Sequence, residues 1–280
     1  MSDIDLHKYL IGRQGSRRAL NTPALVIDRD ALQRNIERMA AFAKQNGVAL
    51  RPHAKTHKSV DIARLQMATG AVGVCCAKIG EAEVLGAGGI NSILITSPVV
   101  TPQAIARLAA LHKRIGDLRV VADNPDNVAA LAAAAKKASR PLPVFVDIDP
   151  GIRRTGVSSP EAAVALARQI ASSGSLTFAG VQFYCGAQQH IESYEGRRAA
   201  IEERTAYLSS VIAALAAAGL KPAVITGGGT GTHRIDAALG VLTEWQTGSY
   251  VFMDKQYLDC DLDGAGAPPF ETALFIDAHV

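Results

Sequence analysis

His53, Lys55 and His57, in the stretch RPHAKTHKS at 51–59, set two imidazoles and a primary amine at two-residue spacing behind the apolar run Val48, Ala49, Leu50. On an extended strand, residues i, i+2 and i+4 share one face, so the spacing predicts three nitrogen groups pointing the same way. An amine flanked by other positive groups loses basicity and becomes a nucleophile toward carbonyls. A polar strand end lying in solvent would show the same residues with no chemistry attached. A second chemical signal is the run Gly227-Gly228-Gly229-Thr230-Gly231-Thr232, in which only two hydroxyls interrupt the backbone. Such a loop lets backbone N–H groups approach an anion closely, although a tight turn reads the same way. Gly248 and Ser249, followed by Tyr250, supply another glycine–hydroxyl pair that could close the same cup.

These residues need elements to hold them. Short β-branched runs at 24–28, 48–52, 72–76, 92–96, 118–122, 144–149, 178–184 and 223–226 read as eight strands. Helix-like stretches at 31–45, 103–114, 125–139, 160–173 and 191–219 lie between them. Asn124 before Pro125 and Ser159 before Pro160 are good helix starts. Regular alternation implies a parallel sheet covered by helices, and eight strands suggest a closed (β/α)8 barrel, with an open doubly wound sheet as the other arrangement. In a barrel, Lys55 falls at the C-terminal end of the second strand, where active sites form, and the glycine run falls after the eighth, where phosphates bind. A lysine amine and an anion cup at one mouth are the two grips that pyridoxal phosphate requires, one for its aldehyde and one for its phosphate.

Composition narrows the alternatives. At 280 residues and 48% hydrophobic the chain can bury a sizeable core. A net charge of +3 with no basic stripe among aromatics argues against nucleic acid. Cys75, Cys76, Cys185 and Cys260 match no zinc spacing and no disulfide framework. The first residues are polar, and nowhere do eighteen apolar residues run together, so a soluble, cytoplasmic protein without a membrane partner is expected.

Six ordered segments, "PHAKTHKS", "GVCCAKIGEAE", "DIDPGIRRTGV", "GVQFYCGAQQH", "ITGGGTGTHR" and "QTGSYVFMD", together resemble the D-threonine aldolase and 3-hydroxy-D-aspartate aldolase group, with its related D-serine and hydroxyaspartate dehydratases. The resemblance runs from about Thr22 to the last residue. It implies an α/β fold, the TIM-like barrel of the alanine racemase N-terminal type with pyridoxal phosphate inside, across 22–262. Residues 1–21 would be an N-terminal extension, and 263–280 the start of a second, β-rich domain. It implies that Lys55 is the Schiff-base lysine, His57 the general base near the substrate hydroxyl and His53 a supporting neighbour. Arg154 would face the cofactor's phenolic oxygen, and Gln182 and Tyr184, ending the seventh strand, would line its ring. Gly228, Gly229, Thr230 and Gly231 would receive the phosphate, with Gly248, Ser249 and Tyr250 opposite. Gln189 and His190 read as the start of the following helix. The chain departs from the group at Ala77, where others have Gln, at Ser97-Pro98, where they have Asn-Glu, and at Thr155, where Cys is common.

The activity implied is metal-assisted retro-aldol cleavage of a 3-hydroxy-D-amino acid to glycine or its analogue plus an aldehyde, by a homodimer. The divalent metal's ligands belong, by the same resemblance, to the second domain, so no metal ligand is named here and His279 is not offered as one. A dehydratase of the same group and a non-catalytic pyridoxal phosphate carrier are the rival readings. A racemase would need an acid–base group on each face of the ring.

Overall fold

The structure, a computed structural model, describes residues 3–279. A short helix α1 (Asp3–His7) leads to β1 (Ala24–Ile27) and α2 (Arg29–Gln45). Then β2 (Ala49–Leu50), α3 (Val60–Ala68), β3 (Val74–Cys76), α4 (Ile79–Ala87), β4 (Ser92–Ile95), α5 (Pro102–His112), β5 (Asp117–Ala122), α6 (Pro125–Ala135), β6 (Leu142–Ile148), α7 (Pro160–Ser172), β7 (Leu176–Phe183), α8 (Tyr194–Ala217), β8 (Val224–Gly227), α9 (His233–Leu239) and β9 (Glu244–Trp245) alternate around a barrel. The helix α10 (Lys255–Leu258) and β10 (Leu274–Asp277) follow.

Strands β2 to β9 form one parallel sheet in the order β2-β9-β8-β7-β6-β5-β4-β3. Its two ends meet: Val72 N–H donates to Leu50 O and Cys75 N–H to Pro52 O, both at 2.8 Å, and His53 bridges Cys75 in parallel. The strands thereby close into a barrel, and α6 and α7 start from the side-chain caps the sequence predicts, Asn124 and Ser159.

The count of eight strands holds, but not its membership. The run at 24–28 lies outside the barrel, pairing antiparallel with β10 in a separate two-stranded sheet whose Leu25 and Ile276 face outward. The missing barrel strand is β9, two residues long in a polar context, too short to give a period-2 signal. Lys55 therefore follows the first barrel strand rather than the second, Gln182 lies in the sixth, and the glycine run follows the seventh. The helices α3, α4 and α9 were not anticipated; their runs of nine, nine and seven residues are too short for a strong helical period.

Alternation along the strands fills the barrel in three levels. At the floor, Arg51 donates to Glu244 (2.9 Å) and to Ser92 (2.8 Å), while Ser92 and Arg119 donate to Asp117. Above it Cys75, Leu94, Val121 and Phe145 pack as a closed apolar cluster. The level under the mouth is polar: His53, Thr96, Asp147, Gln182, Thr226 and Gln246 are all buried. Gln182 Nε2 donates to Thr96 O and Asp147 Oδ1, and Gln246 Nε2 to Gln182 Oε1 and Thr226 Oγ1, so that level is laced across the barrel by hydrogen bonds.

Candidate active site

The expected extended stretch through His53, Lys55 and His57 is a 3₁₀ turn at Ala54–Thr56. The physical cause is local. His53, extended at φ −87°, accepts the Lys55 N–H on Nδ1 (3.3 Å) and caps the turn, and Lys58 ends it at φ 50°. The three side chains accordingly diverge. His53 Nε2, which must carry the proton, donates to Thr96 Oγ1 at 3.0 Å, and Thr96 in turn donates to Cys76 O. Burial, with Lys55 beside it, holds His53 well below the ordinary imidazole pKa. His53 is a brace beneath the turn.

Lys55 stands exposed at the mouth with Nζ 5.1 Å from the centre of the Tyr184 ring. Arg154 approaches the same ring, at 6.0 Å. Surrounding protein first, and the Arg154 guanidinium second, draw the Lys55 pKa below that of a free lysine. Arg154 reaches this place on a loop wound around Asp149, whose carboxylate accepts the N–H groups of Gly151, Ile152 and Arg153. Gly156 closes the loop at φ +105°, where a Cβ would lie 2.4 Å from Asp149 N. No ion pair forms between Arg154 and Asp147 or Asp149 among the described residues; Asp147, its pKa pushed up to about 6 by burial, is held by Gln182 and Thr155.

His57 turns the other way. Its Nδ1 accepts the Ser59 N–H at 3.0 Å, and its buried ring lies against Gln66 of α3. Burial lowers its pKa to about 4, so it is neutral at pH 7.

The glycine loop follows the seventh barrel strand, and Gly248, Ser249 and Tyr250 after the eighth complete a cup beside the Lys55 turn, where a Cβ at Gly248 would meet Thr56 Oγ1 at 2.9 Å. Tyr250 N–H donates to Thr230 Oγ1 at 3.0 Å, tying its two halves together. Two of the expected phosphate donors are engaged within the protein: Gly229 N–H donates to Thr232 Oγ1 and Gly231 N–H to Gln189 Oε1. What these two positions contribute is the absence of a side chain, since a Cβ at Gly229 would meet Gln189 Oε1 at 2.3 Å and one at Gly231 would meet Gln189 O at 2.1 Å. The N–H groups of Thr230, Gly248 and Ser249 have no acceptor among the described residues, and the buried Thr247 Oγ1 likewise has no partner.

Gln189 is the residue whose role the sequence reading misses. It lies in a 3₁₀ turn at Ala187–His190, ahead of α8, and is fully buried. Besides receiving Gly231 N–H it donates to Cys185 O and Thr232 Oγ1. Thr232 Oγ1 in turn donates a hydrogen bond to Asp236 Oδ2 (2.6 Å), whose pKa burial raises to about 7. Gln189 lies within the segment "GVQFYCGAQQH", but nothing in that segment singles it out for this role. Among the described residues no three His, Cys, Asp or Glu side chains gather closely enough to hold a metal ion. No helix there is long and apolar enough to cross a membrane.

A closed parallel barrel with an amine on the turn after its first strand and a glycine-rich cup after its last two defines the class. The chain belongs to the alanine racemase N-terminal domain family, whose model matches residues 27–256. Within it, the chain is 43% identical over 261 residues to the 3-hydroxy-D-aspartate aldolase of Paracoccus denitrificans strain Pd 1222, spanning 92% of this chain and 67% of that protein. The crystal structure of D-threonine aldolase from Filomicrobium marinum superposes with a TM-score of 0.88 at 40% identity, over 92% of this chain and 68% of that one. The D-threo-3-hydroxyaspartate dehydratase from Delftia sp. HT23 gives 0.81 at 31% identity, over 93% and 68%.

Proposed function

We propose that this chain binds pyridoxal phosphate at the barrel mouth and cleaves the Cα–Cβ bond of a 3-hydroxy-D-amino acid, releasing glycine or its analogue and an aldehyde. The observation that carries the reading is the pairing, at one end of the barrel, of a lysine of lowered basicity with a neighbouring glycine cup whose Thr230, Gly248 and Ser249 N–H groups have no acceptor among the described residues. The residues fit the cofactor. Lys55 would hold its aldehyde carbon and those N–H groups, with the Thr247 and Ser249 hydroxyls, its phosphate. Arg154 and Tyr184 would flank the ring. When bound, the cofactor supplies the electron sink for the carbanion left at Cα.

The chain's own groups do the rest. Its depressed pKa leaves a larger share of Lys55 as free amine near neutral pH, ready to exchange with an amino acid's amine. Arg154, kept from Asp147 and Asp149 by the Asp149-centred loop, brings a fixed positive charge to the mouth. His57 is the candidate base for the substrate's β-hydroxyl proton, on a condition the geometry sets: its basic nitrogen is Nδ1, so accepting a proton displaces the Ser59 N–H. The hydroxyl proton goes to that base, the Cα–Cβ electrons remain on Cα, and Cα is protonated before glycine leaves.

Since the described residues gather no metal ligand set, no step is assigned to a metal. Metal assistance is a separate proposal, checked by assaying the protein after EDTA treatment and after adding manganese; equal rates would remove it. The decisive experiment is an absorbance spectrum of the purified protein with pyridoxal phosphate, before and after D-threonine, followed by product analysis. Glycine and acetaldehyde are expected. Formation of 2-oxobutanoate and ammonia would transfer the chain to dehydratases of the Delftia type, and a cofactor band with no product at all would leave a carrier.

A further inference from the structure

The His57 ring has a fixed proton pattern, and its source is one backbone bond. Ser59 N–H can only donate, so Nδ1 of His57 is the lone-pair nitrogen and Nε2 carries the hydrogen. That Nε2 is buried with no hydrogen-bond partner, and so is Oε1 of Gln66, which is 1% exposed on α3 and neighbours the ring. These are two unpartnered atoms of neighbouring side chains, one a donor and one an acceptor, chemically matched to each other. With its oxygen turned to His57, Gln66 presents its amide nitrogen to the Tyr250 hydroxyl, to which it donates at 3.0 Å. Tyr250 N–H then reaches Thr230 Oγ1 in the glycine loop.

We propose that Gln66 is a positioning residue: it locks His57 with the proton on Nε2, so that Nδ1 is the only nitrogen able to take a proton. It also ties the Lys55 turn to the anion cup through Tyr250. The role in turnover rests on the aldolase reading, but the proton pattern does not. An Ala or Leu at 66 would preserve the helix and leave both the His57 Nε2–H and the Tyr250 oxygen without this partner. Charged and titratable groups around His57 are His53, Lys55 and Lys58 on its own turn, Glu81 from α4, which lies 4.0 Å from Lys58, and Tyr250.

The test is long-range 1H–15N NMR of ¹⁵N-histidine-labelled protein loaded with pyridoxal phosphate, with the His57 signals assigned through His57→Gln. In the unmutated chain, His57 should show a protonated Nε2 and a bare Nδ1. A proton on Nδ1 overturns the proposal without any variant. Gln66→Leu should lower the pKa of His57 from its value of about 4, because a hydrogen bond favouring the charged ring is lost, and Gln66→Glu should raise it. A residue that merely fills space would shift both variants the same way or not at all, which also overturns the proposal. In D-threonine cleavage, Gln66→Leu should lower kcat with little change in KM, and Gln66→Glu should move the acid limb of the rate profile upward. If the tautomer and titrations come out as stated while no D-hydroxyamino acid is cleaved, the proton pattern stands and the aldolase reading falls.

Discussion

Lys55 and His57 share a turn yet have opposite surroundings, one open at the mouth beside Tyr184 and the other enclosed against Gln66. Replacing them should therefore have separable effects. Lys55→Ala, at an exposed position, should leave folding within about 0.5 kcal/mol while abolishing the visible cofactor band and the activity; far-UV circular dichroism and absorbance on one sample check both. His57→Gln should keep the band and lose roughly a hundred- to ten-thousandfold in kcat, the scale of general-base assistance. A residual rate within tenfold of the parent would assign the proton to another group. At this scale the sequence points to candidate residues and says little about what they touch. The spacing His-x-Lys-x-His draws attention to the proposed site, but whether it is strand or 3₁₀ turn depends on His53 accepting a backbone N–H, which no periodicity encodes. Gln66 and Gln189 carried no signal, because buried amides acquire meaning only from partners distant in the chain.

Elements were legible in proportion to their length. Helices α5 to α8 and strands β4 to β8 sit where the periodicity puts them. The two-residue β9 was missed, and 24–28, with a similar apolar run, was read as barrel because local sequence cannot distinguish one sheet from another. The glycine loop illustrates what an element adds. Its glycines differ in kind, since the Cβ of an alanine at 229 would strike the movable end of Gln189, and at 231 its backbone carbonyl. Gly231→Ala should consequently weaken pyridoxal phosphate binding more than Gly229→Ala, as measured by fluorescence titration; the reverse order would mean that Gln189 does not support the loop. The expected direct phosphate contacts from both N–H groups could not be judged from a Gly-rich string, which does not reveal that Gln189 and Thr232 already occupy them.

Over the whole molecule, buried titratable groups set a pH window. His53, His57, His112 and His233 are held below the ordinary imidazole value, the second and fourth at about 4. Once unfolded they take up protons below about pH 6.5, so the stability they favour is present above that pH and is lost on acidification toward 4. Asp147 and Asp236 act in the opposite sense: raised to about 6 and 7, they favour the folded state at low pH and lose that contribution as the pH climbs through those values. Four groups outweigh two below pH 6, and above 6.5 only the aspartates still titrate. Tm should rise from pH 4.5 to about 6.5 and then level or dip, a dip that Asp236→Asn should reduce; a maximum at pH 4.5 would contradict this balance. The barrel floor makes a second global prediction. Arg51→Met strands the buried Glu244 carboxylate and should cost about 3–5 kcal/mol, whereas the double change with Glu244→Leu should recover part of that loss in urea melts. The seam that joins β2 to β9 bears on synthesis. Arg51 and Glu244 are 193 positions apart, and His53 N–H bonds to Thr247 O, so a chain emerging from the ribosome carries Lys55 long before the closed barrel and its glycine cup exist. If the proposed site is the one that holds the vitamin, its capture waits until nearly the last strand is made, and truncated nascent chains ending before 245 should take up no cofactor.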